Sequence, residues 1–140
     1  MSQETNQIYS LLKLEIVKQR SIMLYGDNEA IRLDYVKDSL WSLKTNDNID
    51  VNLVSIDLSK LDKKQLNYYL YSEIKQDQFC LLFLDNLDKA SFEVYESARS
   101  ILKNQSRKSG IICIAGLSKG KVEPDYIDDG LVSSCLHIEI

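Results

Sequence analysis

The sequence contains little glycine, proline or histidine, and each shortage excludes a class of protein. Its 140 residues include five glycines, one proline and a single histidine, His137. All-β folds need many tight turns, which are rich in glycine and proline, so long regular elements are favoured instead. One histidine and three scattered cysteines (Cys80, Cys113, Cys135) argue against a zinc site and against a disulfide framework. The cysteines lie in or beside apolar segments and are expected to be small buried hydrophobes.

Long hydrophobic runs and an excess of positive charge are also missing. No apolar run approaches the roughly 18–20 residues that a membrane span needs, and the opening MSQETNQ lacks the apolar core of a signal peptide. The formal charge of −4 disfavours indiscriminate binding to nucleic acid. We therefore expect one cytoplasmic domain over residues 1–140, with no membrane and no metal.

The hydrophobic spacing alternates between helical and strand-like periods. Helices are predicted over residues 3–19, 33–43, 62–75 and from Ser91 onward, with a short one from Pro124 to near Gly130. Strands are predicted over 21–25, 51–56, 79–84, 111–115 and 135–140. This alternation predicts an α/β three-layer αβα sandwich around a five-stranded, mostly parallel sheet. The three apolar strands are expected in the middle, and the two of mixed polarity (51–56 and 135–140) nearer the edges.

In such a sheet, ligands bind beyond the carboxyl ends of the strands, so the loop after the first strand is the first place to look. Compared with the phosphate-loop pattern G-x-x-x-x-G-K-[ST], Gly26 matches, and Arg32 replaces the lysine. Ile31 replaces the second glycine and opposes the turn around the phosphates, while Leu33 replaces the hydroxyl that binds magnesium. The loop is expected to be vestigial, with Arg32 as a surface charge.

The ends of the third and fourth strands carry polar residues. Asp85 follows the apolar run LLFL, at the place where ATPases with a phosphate loop hold a magnesium-bound water. Asn86 stands where they have glutamate, and an amide cannot act as a general base. The simpler interpretation of this pair is a polar cap on the strand end. Ser118 is a weak candidate for a polar sensor after the fourth strand.

The order of these segments resembles the core of AAA+ ATPases, and within them the bacterial replication-initiator (DnaA-like) and clamp-loader branches. The resemblance is carried by the LYG loop, the strand LLFLDN, the strand IICIAG and the segment DDGLVSSC. In those branches the last segment ends in a Ser-Arg pair that supplies an arginine finger, whereas this chain has Ser133-Ser134. The sequence also stops at the fifth strand, so the helical lid is expected to be absent. The resemblance therefore implies a catalytically silent relative that binds no cofactor.

Two sets of exposed side chains are candidates for an interaction surface. Tyr68 and Tyr71 are expected partly on the outside of the third helix, with Tyr69 in the core; a half-buried helix face is favoured over nucleic-acid stacking. A basic stretch over 99–121 contains no acidic residue. The fold divides it, with one group formed by Lys103, Arg107 and Lys108.

These observations leave three functional hypotheses. The leading one is a non-enzymatic AAA+-like domain that binds another protein, such as an active AAA+ protein, in DNA replication or transcription control. The second is a nucleotide-binding switch without hydrolysis, acting through Arg32 and Asp85. The third, possible but not favoured, is a DNA-binding accessory that uses the basic group on the fourth helix. The sequence does not indicate an oligomeric state.

Overall fold

The structure, a computed structural model, describes residues 3–13, 20–74, 79–104, 111–119 and 129–140. The strands are β1 (Ile22–Tyr25), β2 (Asn52–Asp57), β3 (Cys80–Asp85), β4 (Ile111–Leu117) and β5 (Leu136–Glu139). The helices are α1 (Gln3–Leu12), α2 (Glu29–Asp47), α3 (Lys63–Glu73), α4 (Phe92–Asn104) and α5 (Asp129–Ser134). Single 3₁₀ turns follow β2 and β3, at Leu58–Lys60 and Leu87–Lys89.

The strands form one parallel sheet in the order β2-β3-β4-β1-β5. The predicted five-stranded parallel sheet is confirmed, and so is the position of its strands. The apolar strands β1, β3 and β4 are central, because a central strand of a covered sheet is buried on both faces. The strands of mixed polarity, β2 and β5, form the edges and expose alternate side chains.

Successive side chains of each strand divide the core between two faces of the sheet. In β1, Met23 packs into one cluster with α3, α4 and α5, while Ile22 and Leu24 pack into the other with α1 and α2. This division follows from the two-residue period of a strand. It confirms the three-layer arrangement that the alternation of elements predicts.

The cysteines are buried and free, as expected. Burial raises the pKa of the Cys113 thiol to about 12, so this side chain behaves as a small hydrophobe. The described part of the chain contains no group of residues arranged to hold a metal ion. None of its helices is both long and apolar enough to cross a membrane.

The structure corrects the prediction for the last helix. Gly130 lies in the first turn of α5, not near its end, and Pro124 is outside the described residues. The helix is placed by the fully buried Leu131, and Arg20 binds its C-terminal carbonyls, with Nε 3.1 Å from the Ser134 oxygen. Glycine commonly follows a helix, but here tertiary packing fixes the element. For the first predicted helix, residues 3–12 are helical and residues 14–19 are outside the described residues.

Candidate functional site

The carboxyl ends of β1 and β3 meet the loops that the sequence singles out. α2 projects Arg32 into this region, and the side chain is almost fully buried, at 1% exposure. Its Nε donates to Asp85 Oδ1 at 2.8 Å, and Nη2 donates to Asn86 Oδ1, also at 2.8 Å. Nη1 donates to the carbonyl oxygen of Gly26. The expectation that Arg32 is a surface charge is therefore wrong.

The physical reason is that Arg32 has partners that the isolated loop motif does not reveal. A buried guanidinium is tolerated only when it is paired and its donors are satisfied. Here a carboxylate, an amide and a backbone carbonyl from two different loops supply the acceptors. Asp85 and Asn86 are likewise not merely a polar strand cap, since both are buried and face an arginine.

Asn86 extends the network to the edge strand. Its backbone has φ 59°, in the left-handed region that asparagine tolerates better than most residues. In this conformation its Nδ2 donates to Asp57 Oδ1 at 2.9 Å, at the end of β2. The same carboxylate oxygen accepts from the Ser59 backbone N–H at 3.0 Å and from Ser59 Oγ at 2.6 Å. The loops after β1, β2 and β3 are thus joined through side chains.

The two carboxylates of the network differ in their electrostatics. Burial raises the pKa of Asp85 above its ordinary value, although the Arg32 guanidinium opposes the rise. Burial also acts to raise the pKa of Asp57, but the hydrogen bonds from Asn86 and Ser59 outweigh it and hold that pKa below its ordinary value. Asp57 is therefore stabilised in its ionised form, because a hydrogen bond donated to a carboxylate favours the charge.

The backbone after Gly26 forms a helix start instead of a phosphate cradle. α2 begins at Glu29, and Asn28 is its N-cap, accepting from the Ile31 N–H through Oδ1 at 3.2 Å. The Arg32 N–H donates to the Asn28 carbonyl at 3.0 Å. In a phosphate loop, the backbone N–H groups of this segment are left to face the phosphates. Here two of them are used by the helix itself.

A nucleoside triphosphate with magnesium does not fit these residues. Arg32, which stands in the lysine position, pairs with the Asp85 carboxylate, and each of its three guanidinium nitrogens donates to a protein acceptor. Leu33 offers no oxygen to a metal ion, and Asp27 and Glu29 expose carboxylates at the loop, where they would repel phosphate. Ile31, which stands in place of the second glycine, lies in α2 with 45% of its surface exposed.

Gly116 of β4 is a residue of this site that the sequence analysis did not single out. A Cβ placed on it would lie 2.0 Å from Asp85 Oδ1 and 3.1 Å from Arg32 Nε. The ion pair therefore packs directly on the strand backbone. The signal was present in the sequence, because a glycine inside an apolar strand often marks close approach of another group.

The loops after β3 and β4 approach each other through Asp88. The Ser118 N–H donates to Asp88 Oδ2 at 3.4 Å, while Asp88 Oδ1 is buried without a hydrogen-bond partner in the described ranges. The Lys119 N–H donates to Asp27 Oδ1 at 2.9 Å and ties the β4 loop to the loop after β1. Ser118 thus uses its backbone in the loop junction, and its predicted sensor role stays a prediction.

The residues predicted for an interaction surface differ in their exposure, and two of them lie outside the described residues. Tyr68 and Tyr71 are exposed, at 69% and 89%. Tyr69 is also exposed, at 45%, so the expectation that it lies in the core is wrong. α3 flanks an edge strand and buries only Leu66 fully, so the sheet covers too narrow a strip to include Tyr69. Lys103 is partly buried in the last turn of α4. Arg107 and Lys108 lie outside the described residues.

Comparison with known proteins identifies the fold but no sequence family. No protein-family model matches the chain, and no curated protein sequence matches it. Among solved structures, the Thermotoga maritima RuvB Holliday junction branch migration motor has a TM-score of 0.61 at 17% identity, with 100% of this chain and 45% of that chain covered. C. elegans PCH-2 has a TM-score of 0.66 at 12% identity, with 99% and 43% covered.

A third solved structure is the Aeropyrum pernix Orc1 protein in complex with DNA, with a TM-score of 0.65 at 11% identity and coverage of 98% and 43%. The chain thus spans less than half the length of each of these proteins. It has the fold of AAA+ ATPase core domains, which the sequence resemblance implied. The two branches named from the sequence stay a prediction.

Proposed function

We propose that this protein is a catalytically inactive AAA+-like domain that binds another protein, such as an active AAA+ protein, in DNA replication or transcription control. The observation that carries the proposal is the buried ion pair between Arg32 and Asp85. It joins the residue in the phosphate-loop lysine position to the aspartate in the magnesium-water position. Each group satisfies the charge that a nucleotide and its metal would otherwise satisfy.

The loop geometry supports the absence of turnover independently of this ion pair. The N-cap at Asn28 engages the N–H of Ile31, and the helix engages that of Arg32. Asn86 replaces the glutamate that would activate water and donates its amide to Asp57. The fold is therefore intact, while the residues in the nucleotide-binding positions bond to each other. This combination is expected of a domain that serves in protein interaction and not in catalysis.

The proposed setting in DNA metabolism rests on the structural neighbours. One is a Holliday junction branch migration motor and another is an Orc1 protein in complex with DNA. The interaction role is supported by exposed aromatic side chains, since Tyr68 and Tyr71 on α3 are both more than half exposed. Aromatic residues in such positions are typical anchors of protein interfaces.

The proposal is tested by measuring the melting temperature and phosphate release with millimolar ATP and magnesium. A ligand that binds only the folded state raises the melting temperature, so no shift and no release above background are expected. A rise that Asp85→Ala abolishes would instead support the nucleotide-binding switch. Hydrolysis above background would overturn the proposal altogether.

A further inference from the structure

The edge strand β2 carries backbone groups that pair with no other described strand. β2 pairs with β3 on one side, with Asn52 opposite Cys80 and the Asn52 N–H donating to the Phe79 carbonyl at 2.8 Å. Backbone groups alternate along a parallel strand, so the N–H and C=O groups of Leu53 and Ser55 point to the opposite side. In the described part of the chain, no strand occupies that side.

This edge has few of the features that usually keep sheet edges from pairing. Proteins protect edges with proline, lysine, inward-pointing charges, bulges or short strands. β2 is six residues long, reads NLVSID, and pairs with β3 in register from Asn52 to Asp57 without a bulge. Its one charged residue is at its end, where Asp57 bonds to Ser59 and Asn86. β5, the opposite edge, has four residues with charged Glu139 among them.

A pocket of about 280 Å³ lies beside the same edge, between β2 and α3. Its apolar lining comes from Ile56, Leu61 and Tyr69, and Ser55 of the open edge also lines it. A strand added along β2 would therefore pass the pocket and could place one apolar side chain in it. Tyr69, whose exposure the sequence alone did not predict, would contact this apolar side chain.

The charged residues near the pocket indicate which charge the added strand should carry. Lys60 lines the pocket together with Asp57. Lys63 and Lys64 are exposed in the first turn of α3, just before the pocket residue Gln65. Lys60 is 3.6 Å from Asp57, while Lys63 and Lys64 pair with no described carboxylate. The neighbouring acid, Asp62, is used in the capping box with Gln65. Asp57 and Asp62 keep their negative charges, so residues 57–64, with three lysines and two aspartates, carry a net charge of +1, which favours an acidic ligand over a basic one.

We propose that the open edge of β2 binds an acidic, extended segment of a partner protein as an additional strand, with one apolar side chain in the pocket under Tyr69. The inference rests on the interaction role proposed above and identifies the chemistry of the partner. Lysines and tyrosines would also suit single-stranded nucleic acid. The unpaired backbone edge favours a peptide, because strand addition uses those main-chain groups directly.

The test uses the whole chain and a labelled short peptide that alternates glutamate with valine and carries one central phenylalanine. Fluorescence anisotropy is expected to show binding of this peptide but not of its counterpart with lysine for every glutamate. Tyr69→Ala and Lys64→Glu are each expected to weaken binding by about tenfold or more. Lys64→Glu places a negative charge at a helix start, so loss of folding is not its expected effect.

Matched variants on the opposite layer serve as controls. Trp41→Ala removes an exposed aromatic of α2, and Lys37→Glu reverses an exposed lysine of the same helix. Both are expected to leave peptide binding unchanged. Hydrogen exchange supplies a readout of strand addition itself, since the Leu53 and Ser55 amides should become protected only in the complex.

Binding of neither peptide, equal binding of both, or equal loss in the control variants would overturn the inference. So would an unchanged exchange rate at Leu53 and Ser55, or tighter binding of an oligothymidine strand than of the acidic peptide. These outcomes are separable from those for the proposed function. ATP hydrolysis with peptide binding intact would remove the inactive role alone, and failure of the peptide with no nucleotide effect would remove only this inference.

Discussion

A single buried guanidinium holds two loops together at the carboxyl end of the sheet. Arg32 donates to acceptors in the loop after β1 and at the end of β3, and Asn86 passes the connection on to β2. Removing one member of a buried pair leaves the other charged and unpaired, which is more costly than never having had the pair. The network therefore contributes to structure at the position where related folds bind phosphate.

The ion pair predicts a specific pattern of stability. Arg32→Met and Asp85→Leu are each expected to lower the free energy of unfolding by about 3–5 kcal/mol, while the double variant loses clearly less than the sum. Lys60→Ala, which removes the exposed partner of Asp57, should cost less than about 1 kcal/mol. Urea denaturation measures all four proteins. Additive losses in the double variant would show that the two side chains do not depend on each other.

Asp57 predicts how stability changes at acidic pH. Its pKa in the folded state lies below the ordinary value of 3.8, so the folded state favours the ionised carboxylate. Its contribution is therefore present above about pH 4 and is lost as the pH falls below that value. Asp57→Asn should reduce the free energy of unfolding at pH 7, and the difference from wild type should shrink between about pH 4 and pH 2. A difference that grows on acidification would contradict the assigned hydrogen bonds.

At the scale of elements, the strands were predictable because hydrophobic pattern and sheet position have the same cause. A run that is apolar throughout must be covered on both faces, and β3 is such a run. Burial on a helix was harder, because it depends on what lies opposite. Tyr69 has helical spacing with Leu66 but sits above an edge strand that leaves it half exposed. The burial of Arg32 could not be predicted for the same reason, since its partners come from elsewhere in the chain.

The close packing at Gly116 of β4 leads us to expect that a single added methyl group disturbs the site. Gly116→Ala places Cβ against Asp85 Oδ1 and the Phe83 ring, which are themselves buried, so a loss of about 1–3 kcal/mol in the free energy of unfolding is expected. The matched control is Gly130→Ala in the exposed first turn of α5. That change should raise stability by up to about 1 kcal/mol, because alanine is the better helix former. Thermal and urea unfolding check both. Equal effects of the two substitutions would contradict the packing described at Gly116.

At the scale of the whole molecule, the fold and the contacts in the candidate site depend on different features of the sequence. The three layers follow from the alternation of helices and strands, and they match AAA+ cores at 11–17% identity. The candidate site depends on individual residues such as Arg32, Asn86 and Gly116, whose contacts join separate segments. The sequence could therefore indicate which loop positions depart from the nucleotide-binding pattern, but not that the remaining groups bond to one another.

If the Arg32–Asp85 pair takes the place of a nucleotide and its metal, as proposed, the intact protein does not bind ATP. The most direct measurement is equilibrium titration of the intact protein with a fluorescent ATP analogue and magnesium, with unlabelled ATP as competitor. We expect no saturable, competable binding up to millimolar nucleotide, because all three guanidinium nitrogens of Arg32 already donate to protein acceptors and its charge is paired with Asp85. Saturable binding in the micromolar range that unlabelled ATP displaces would contradict the account.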